Sequence, residues 1–236
     1  MEGGIMETQR DHALMQPSGR MLTPAQLRER STIYRATVAQ PEVDAFRDLR
    51  TKLLSMMDGN FVTLIAPISA GCGSSFVARN LAAAFAFDDT RTALLIDCDL
   101  RHPSQHDVMR IDAGNAHLAN YLQGQVDDIG ELIHDTGVPR LGLIPAGPPR
   151  ENSAEQFATP RMRLLVDSLR SHYSNRYLFL DAPPVESSPD ARILAETADM
   201  VVLVTGYAMN TAETISRAVQ QFPPEKFAGV VFNDMG

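Results

Sequence analysis

Tryptophan is absent, cysteine and lysine occur twice each, and the other nineteen basic residues are arginine. Each scarcity excludes something. Cys72 and Cys98 are too few for a disulfide framework and suit a reducing compartment. The six histidines are not expected to form a zinc site. No segment approaches the roughly 18–20 uninterrupted apolar residues that cross a bilayer. Phe61–Ile68 and Met200–Thr205, the longest apolar stretches, have strand length. No apolar segment follows the first charges, so no signal peptide is expected either. A net charge of −8 argues against non-specific binding to nucleic acid or anionic lipid. The expectation is a cytoplasmic protein with no transmembrane segment of its own.

What is present is ordinary for a globular domain: 44% hydrophobic and 21% charged residues in 236. Residues 1–40 are polar and unpatterned and read as a flexible N-terminal tail, with a short helix over Pro24–Arg30. Tyr34 falls in this tail. The domain proper is expected over 41–236. Val43, Phe46, Leu49, Leu53 and Leu54 recur at helical spacing, with Arg47 and Arg50 on other faces. Six apolar runs then read as strands: Phe61–Ala66, Thr92–Asp97, Leu141–Pro145, Tyr177–Asp181, Met200–Thr205 and Gly229–Asn233. Amphipathic stretches separate them, at Ser75–Phe87, Arg161–His172, Asp190–Glu196 and Thr211–Phe222. Near-continuous apolar strands alternating with helices predict an α/β fold, a mostly parallel central sheet with helices on both faces. In such sheets ligands bind beyond the carboxyl ends of the strands.

The first strand runs through Gly71-Cys72-Gly73-Ser74-Ser75-Phe76 into a helix. Closely spaced glycines there let backbone N–H groups face an anion at the helix N-terminus, as in a phosphate-binding P-loop. The full P-loop pattern asks for glycine at 68 and lysine at 74, then serine or threonine at 75. Gly73 and Ser75 keep it; Ile68 and Ser74 break it. A plain tight strand-to-helix turn would look much the same. The second strand ends on Asp97 and Asp99, which suit one carboxylate for Mg²⁺ or its water shell and one for positioning or proton acceptance. The fourth closes on Asp181, the Walker-B place for a residue that helps hold the metal. Three acidic strand ends after a glycine-rich turn are harder to dismiss than any one of them.

Together these residues resemble the cytosolic domain of bacterial tyrosine autokinases of capsule and exopolysaccharide systems, relatives of the MinD/ParA-type deviant P-loop ATPases. The resemblance spans roughly Pro41 to Asp234. Ile96–His106 is similar to the family motif IDxDLRxPxxH, Leu118–Gly124 to LxxYLxG, and Tyr177–Val185 to a Walker-B strand ending in Asp-x-Pro-Pro. Val43–Leu53 resembles the Glu-x-x-Arg-x-x-Arg oligomerisation helix, with Asp44 for glutamate and Arg47 and Arg50 matching. The resemblance implies ATP or ADP with Mg²⁺ as cofactors, weakened or lost here, held by Gly71 to Phe76, with Asn233 near the adenine. It implies Ser75, Asp99 and Asp181 at the metal, a homo-oligomer, and a transmembrane co-polymerase or chain-length determinant that recruits the chain to the inner face of the plasma membrane.

Two departures bear on activity. The family's lysine, which neutralises charge on the departing phosphoryl group, is Ser74 here. Lys52 and Lys226 are not well placed to replace it, and Arg79, more than one helical turn past the loop, is expected to point away. The family's tyrosine cluster after the last strand is likewise not expected here. Tyr34 is the one tyrosine considered as an acceptor. The expectation is a degenerate, kinase-like regulatory protein of polysaccharide synthesis and export. An active kinase or ATPase completed by a neighbouring protomer or membrane partner is the alternative, and a ParA/MinD-like positioning ATPase the second.

Overall fold

The computed structural model describes residues 21–35 and 40–234. Helix α1 (Pro24–Glu29) and α2 (Pro41–Met56) precede β1 (Val62–Pro67), α3 (Ser74–Phe85) and β2 (Thr92–Asp97). Short helices α4 (Gln105–Met109) and α5 (Leu118–Leu122) lead to β3 (His134–Asp135) and β4 (Leu141–Ile144). Then come α6 (Ser153–Phe157), α7 (Pro160–His172), β5 (Arg176–Asp181), α8 (Asp190–Ala195), β6 (Met200–Gly206), α9 (Ala212–Val219) and β7 (Phe227–Asn233). No described helix is long and apolar enough to cross a membrane.

The strands form one sheet in the order β3-β4-β2-β5-β1-β6-β7, parallel throughout except for β3. All six residues of β1 are buried, as are those of β5, because helices cover both faces. One face packs Val43, Phe46 and Leu53 of α2 and Val77, Ala78 and Leu81 of α3 against Ile65, Leu95 and Phe179. The other packs Leu165, Val166 and Leu169 of α7 and Leu194 of α8 against Leu64, Ile96 and Leu180. Burying each of these large side chains contributes about 1.5–3 kcal/mol, so the sheet's central strands anchor whatever their ends carry.

The sequence expected a flexible tail through residue 40 with a short helix over Pro24–Arg30. The helix is there as α1, and residues 21–35 pack on the domain. Thr23 caps α1 by accepting from the Gln26 N–H at 3.3 Å, and Leu27 and Ile33 are buried in the α2–α3 core. The Ile33 N–H donates to Asn80 Oδ1 at 2.7 Å, and Arg30 Nη1 to the Met109 carbonyl at 2.7 Å. Few apolar residues are needed because α3 and the α4 end supply the polar partners. Residues 1–20 lie outside the described residues.

Candidate functional site

Strand order brings the site together. β5 lies between β1 and β2, so the loop after β1 is flanked by the end of β5, and Asp97 stands opposite Asp181 in the register. The exit of β1 is held from both sides: Ile68 N–H donates to the Val204 carbonyl at 2.9 Å, and Val185 N–H to the Pro67 carbonyl at 2.9 Å.

The loop turns into α3 at Gly71 (φ +81°) and Gly73 (φ +76°), left-handed backbone that glycine adopts without a side-chain penalty. Gly73 is the N-cap of α3 and supplies no side-chain cap bond, so the first N–H groups of the helix face outward with its positive end. Two asparagines hold the loop. Asn233 Nδ2 donates to the Cys72 carbonyl at 3.1 Å. Asn210, between β6 and α9, donates from Nδ2 to Ser69 Oγ at 2.9 Å and accepts from Thr205 Oγ1 at 2.8 Å and from Cys72 Sγ at 3.5 Å. Cys72, in the middle of the loop, is buried. Phe76 lies with its ring under the Arg79 guanidinium, 6.0 Å from the ring centroid. Its ring stands edge-on to Phe46 of α2, centroids 5.9 Å apart.

Beneath the loop lie two buried carboxylates. Asp97, expected in catalysis, is committed to the backbone: Oδ1 accepts from Asp99 N at 3.2 Å, and Oδ2 from Ser104 N at 3.1 Å and Gln105 N at 3.0 Å. Burial first, then the Asp181 charge, hold its carboxyl well above the usual carboxylate range. Asp181 is pushed up to about 6 by burial, against the pull of Gln105 and of the Ser75 hydroxyl. Gln105 Nε2 donates to Asp181 Oδ2 at 2.6 Å, while Asp181 Oδ1 is buried with no hydrogen-bond partner. Asp99 sits further out. Its Oδ1 accepts from Arg101 N at 3.2 Å and His102 N at 2.9 Å, which sets the turn after β2.

A hydroxyl, an orphaned buried carboxylate oxygen and a second carboxylate nearby form a hard-oxygen donor set that suits Mg²⁺. Among the described residues no group of three or more His, Cys, Asp or Glu side chains converges as a metal cage. Mg²⁺ in nucleotide sites commonly uses one or two carboxylates with phosphate and water for the rest.

Arg79 does not point away. It is 4% exposed, and its Nη1 donates to Gln105 Oε1 at 3.0 Å. Burial lowers its pKa to about 10, partly offset by Asp181. An arginine six residues past a helix cap reads from sequence as solvent-facing, and Gln105 as a loop residue; neither carried a signal. Lys226 is remote, with Nζ donating to the Ala195 carbonyl at 2.8 Å, and Lys52 is exposed on α2. On α2 itself, Arg47 pairs with Asp44 at 3.1 Å, and Arg50 reaches Asp88 at 3.6 Å and the Ala84 carbonyl at 3.3 Å. The first lies within α2; the Arg50 contacts fasten α2 to the end of α3 and the turn after it. Tyr34 OH accepts from Arg28 Nη1 at 3.2 Å and Gln40 Nε2 at 3.3 Å.

Fold and loop together define a deviant P-loop NTPase-type domain with serine in the lysine position. No protein-family model matches the chain. Putative tyrosine-protein kinase EpsB of Ralstonia solanacearum is 36% identical over 197 residues, 82% of this chain and 26% of that protein. The kinase domain of Escherichia coli tyrosine kinase ETK superposes with TM-score 0.73 at 27% identity, covering 91% of this chain and 94% of that one. The septum site-determining protein MinD of Pyrococcus horikoshii, solved with Mg-ADP, shares the fold at TM-score 0.58 and 19% identity, over 73% and 69% of the two chains. The chain belongs to the bacterial tyrosine-kinase domain family, and its fold is the one seen in the MinD and ParA-type ATPases. It spans about a quarter of the length of the curated kinases first matched.

Proposed function

We propose that this chain is a degenerate tyrosine-kinase-like domain that regulates exopolysaccharide or capsule synthesis and export, with weakened or lost nucleotide turnover. A single observation carries the reading. The glycine loop, Ser75, Asp99 and Asp181 are assembled, and the cation that should face the phosphates is a serine hydroxyl. Removing one preorganised electrostatic group typically costs about 10²–10³ in rate. Arg79 supplies charge from behind the first turn of α3, on the side of the carboxylates, and so does not repair this loss. The domain would act by contact, through α2 and its Asp44, Arg47 and Arg50, on copies of itself and on the cytosolic part of a membrane co-polymerase or chain-length determinant. In that role it would sit at the inner face of the plasma membrane. The test is ATP binding and turnover with Mg²⁺ for the full chain and for Ser74→Lys. Turnover restored by the lysine supports the proposal; robust wild-type turnover that Asp99→Ala abolishes overturns it.

A second reading rests on the unpartnered Asp181 Oδ1 beside Ser75. An oxygen left open for a metal's water shell suits an active kinase whose missing cation arrives from a neighbouring protomer or the membrane partner. Phosphotyrosine on the chain only when it is co-expressed with that partner would favour this reading.

A further inference from the structure

Arg79 is an unusual group to find enclosed. Taking a guanidinium out of water costs several kcal/mol unless its hydrogen bonds are well satisfied, and here Nε is buried with no partner. Its remaining bonds all lead toward the site or to residues 31–33: Nη1 to Gln105 Oε1 at 3.0 Å and to the Ser75 carbonyl at 3.4 Å, Nη2 to the Ser31 carbonyl at 3.4 Å. Holding residues 31–33 does not need it. Asn80 does that with shorter bonds, to the Ser31 carbonyl at 3.0 Å and from Ile33 N at 2.7 Å.

The bond to Gln105 has a directional consequence. A glutamine amide can turn either end toward a neighbour, and arginine is donor-only. With Oε1 committed to Arg79, Nε2 must face the acceptors on the other side. It donates to Asp181 Oδ2 at 2.6 Å and to the Ser75 carbonyl at 2.9 Å. Asp181 is thereby held by one oxygen and keeps Oδ1 without a protein partner. We infer that Arg79 is a positioning residue for the metal-holding carboxylate: acting through Gln105, it fixes Asp181 with Oδ1 free toward the Mg²⁺ of a bound nucleotide. The inference rests on the nucleotide-site reading above and adds a cation that works from behind the loop rather than on the phosphates. Partners that orient a metal-binding carboxylate typically change metal affinity by about 10–100-fold when removed.

The experiment measures affinity of the full chain for a fluorescent ADP analogue, once with Mg²⁺ and once in EDTA. It compares wild type, Arg79→Met and Arg79→Lys. Arg79→Met is expected to weaken Mg²⁺-dependent binding about tenfold while changing binding in EDTA less than about twofold. Arg79→Lys, which keeps a donor, should recover most of the loss. Should Arg79→Met fail to fold, Gln105→Leu carries the same expectation. Equal losses with and without Mg²⁺ would show a packing role only, and no loss would overturn the inference outright. A wild type with no Mg²⁺-dependent affinity sinks the nucleotide-site reading itself, and Arg79's role with it.

Discussion

Asp181→Asn should stabilise the folded chain at neutral pH and do nothing for it in acid. Burial raises the Asp181 carboxyl from an ordinary 3.8 to about 6. Below 3.8 the folded and unfolded chains both hold the proton, and the group costs nothing. As pH rises from 3.8 toward 6 the unfolded chain releases a proton that the folded one retains, and stability is lost; above 6 the loss is constant at about 3 kcal/mol. Asparagine removes that cost and keeps the shape. Its carbonyl oxygen can accept from Gln105, but its amide nitrogen then takes the unpartnered Oδ1 position, at a cost of about 1 kcal/mol. The net gain expected at pH 8 is therefore about 2 kcal/mol. Relief of Asp97, whose carboxyl the Asp181 charge also pushes up, adds to it. Urea denaturation of both proteins at pH 8 and pH 4 reads the effect. A gap of the same size at the two pH values, or a wild type more stable at pH 8, would refute the reasoning, because burial of charge predicts a difference that closes in acid.

Further outcomes follow from the loop. Asn210→Ala removes the common partner of Ser69, Thr205 and Cys72, and should cost about 1–3 kcal/mol in urea denaturation. In native protein both thiols are buried, so a thiol reagent should label Cys72 slowly; Asn210→Ala should speed that labelling, and fast labelling of the wild type would contradict the enclosed loop. Gly73→Ala forces a left-handed turn on a residue with a side chain. It should destabilise by about 1 kcal/mol and weaken nucleotide binding more than it weakens the fold, as calorimetry would show.

Most of the architecture was legible because the apolar runs are long and their ends chemically marked. Thr92–Asp97 was read at its observed bounds, and the other five strands within two residues, as hydrophobic continuity allows. The two-residue β3 has no periodicity to detect and was missed. Leu27 and Ile33 were overlooked for a different reason: their segment is polar, and its docking depends on Asn80 and a carbonyl at the end of α4, far along the chain. The same holds within the site. Gly71, Gly73 and the three aspartates stand at strand ends where the fold rule directs attention, whereas Arg79, Gln105 and Asn210 owe their importance to neighbours. Asp97 shows the limit most clearly. Its place was readable, but its use as a backbone anchor for the start of α4 depends on a turn eight residues long.

The shape of the phosphate loop and its charge are separable in this chain. Two glycines set the turn, the β1 exit is pinned to β5 and β6, and Asn210 and Asn233 hold the residues between; none of these bonds uses the Ser74 side chain. Lysine at 74 would therefore break none of these bonds, although Ser74 is only 6% exposed and the longer side chain needs room there. What it does bring is a cation at a helix N-terminus, where the macrodipole opposes it by about 0.3–1 kcal/mol. Ser74→Lys should thus be slightly less stable than wild type when empty and gain more than wild type from added phosphate or nucleotide, which offsets the same charge. Thermal denaturation with and without inorganic phosphate measures both. If Ser74→Lys is instead unfolded, the serine is a structural part of the turn, and its hydroxyl cannot be read as a simple loss of charge from an otherwise intact site.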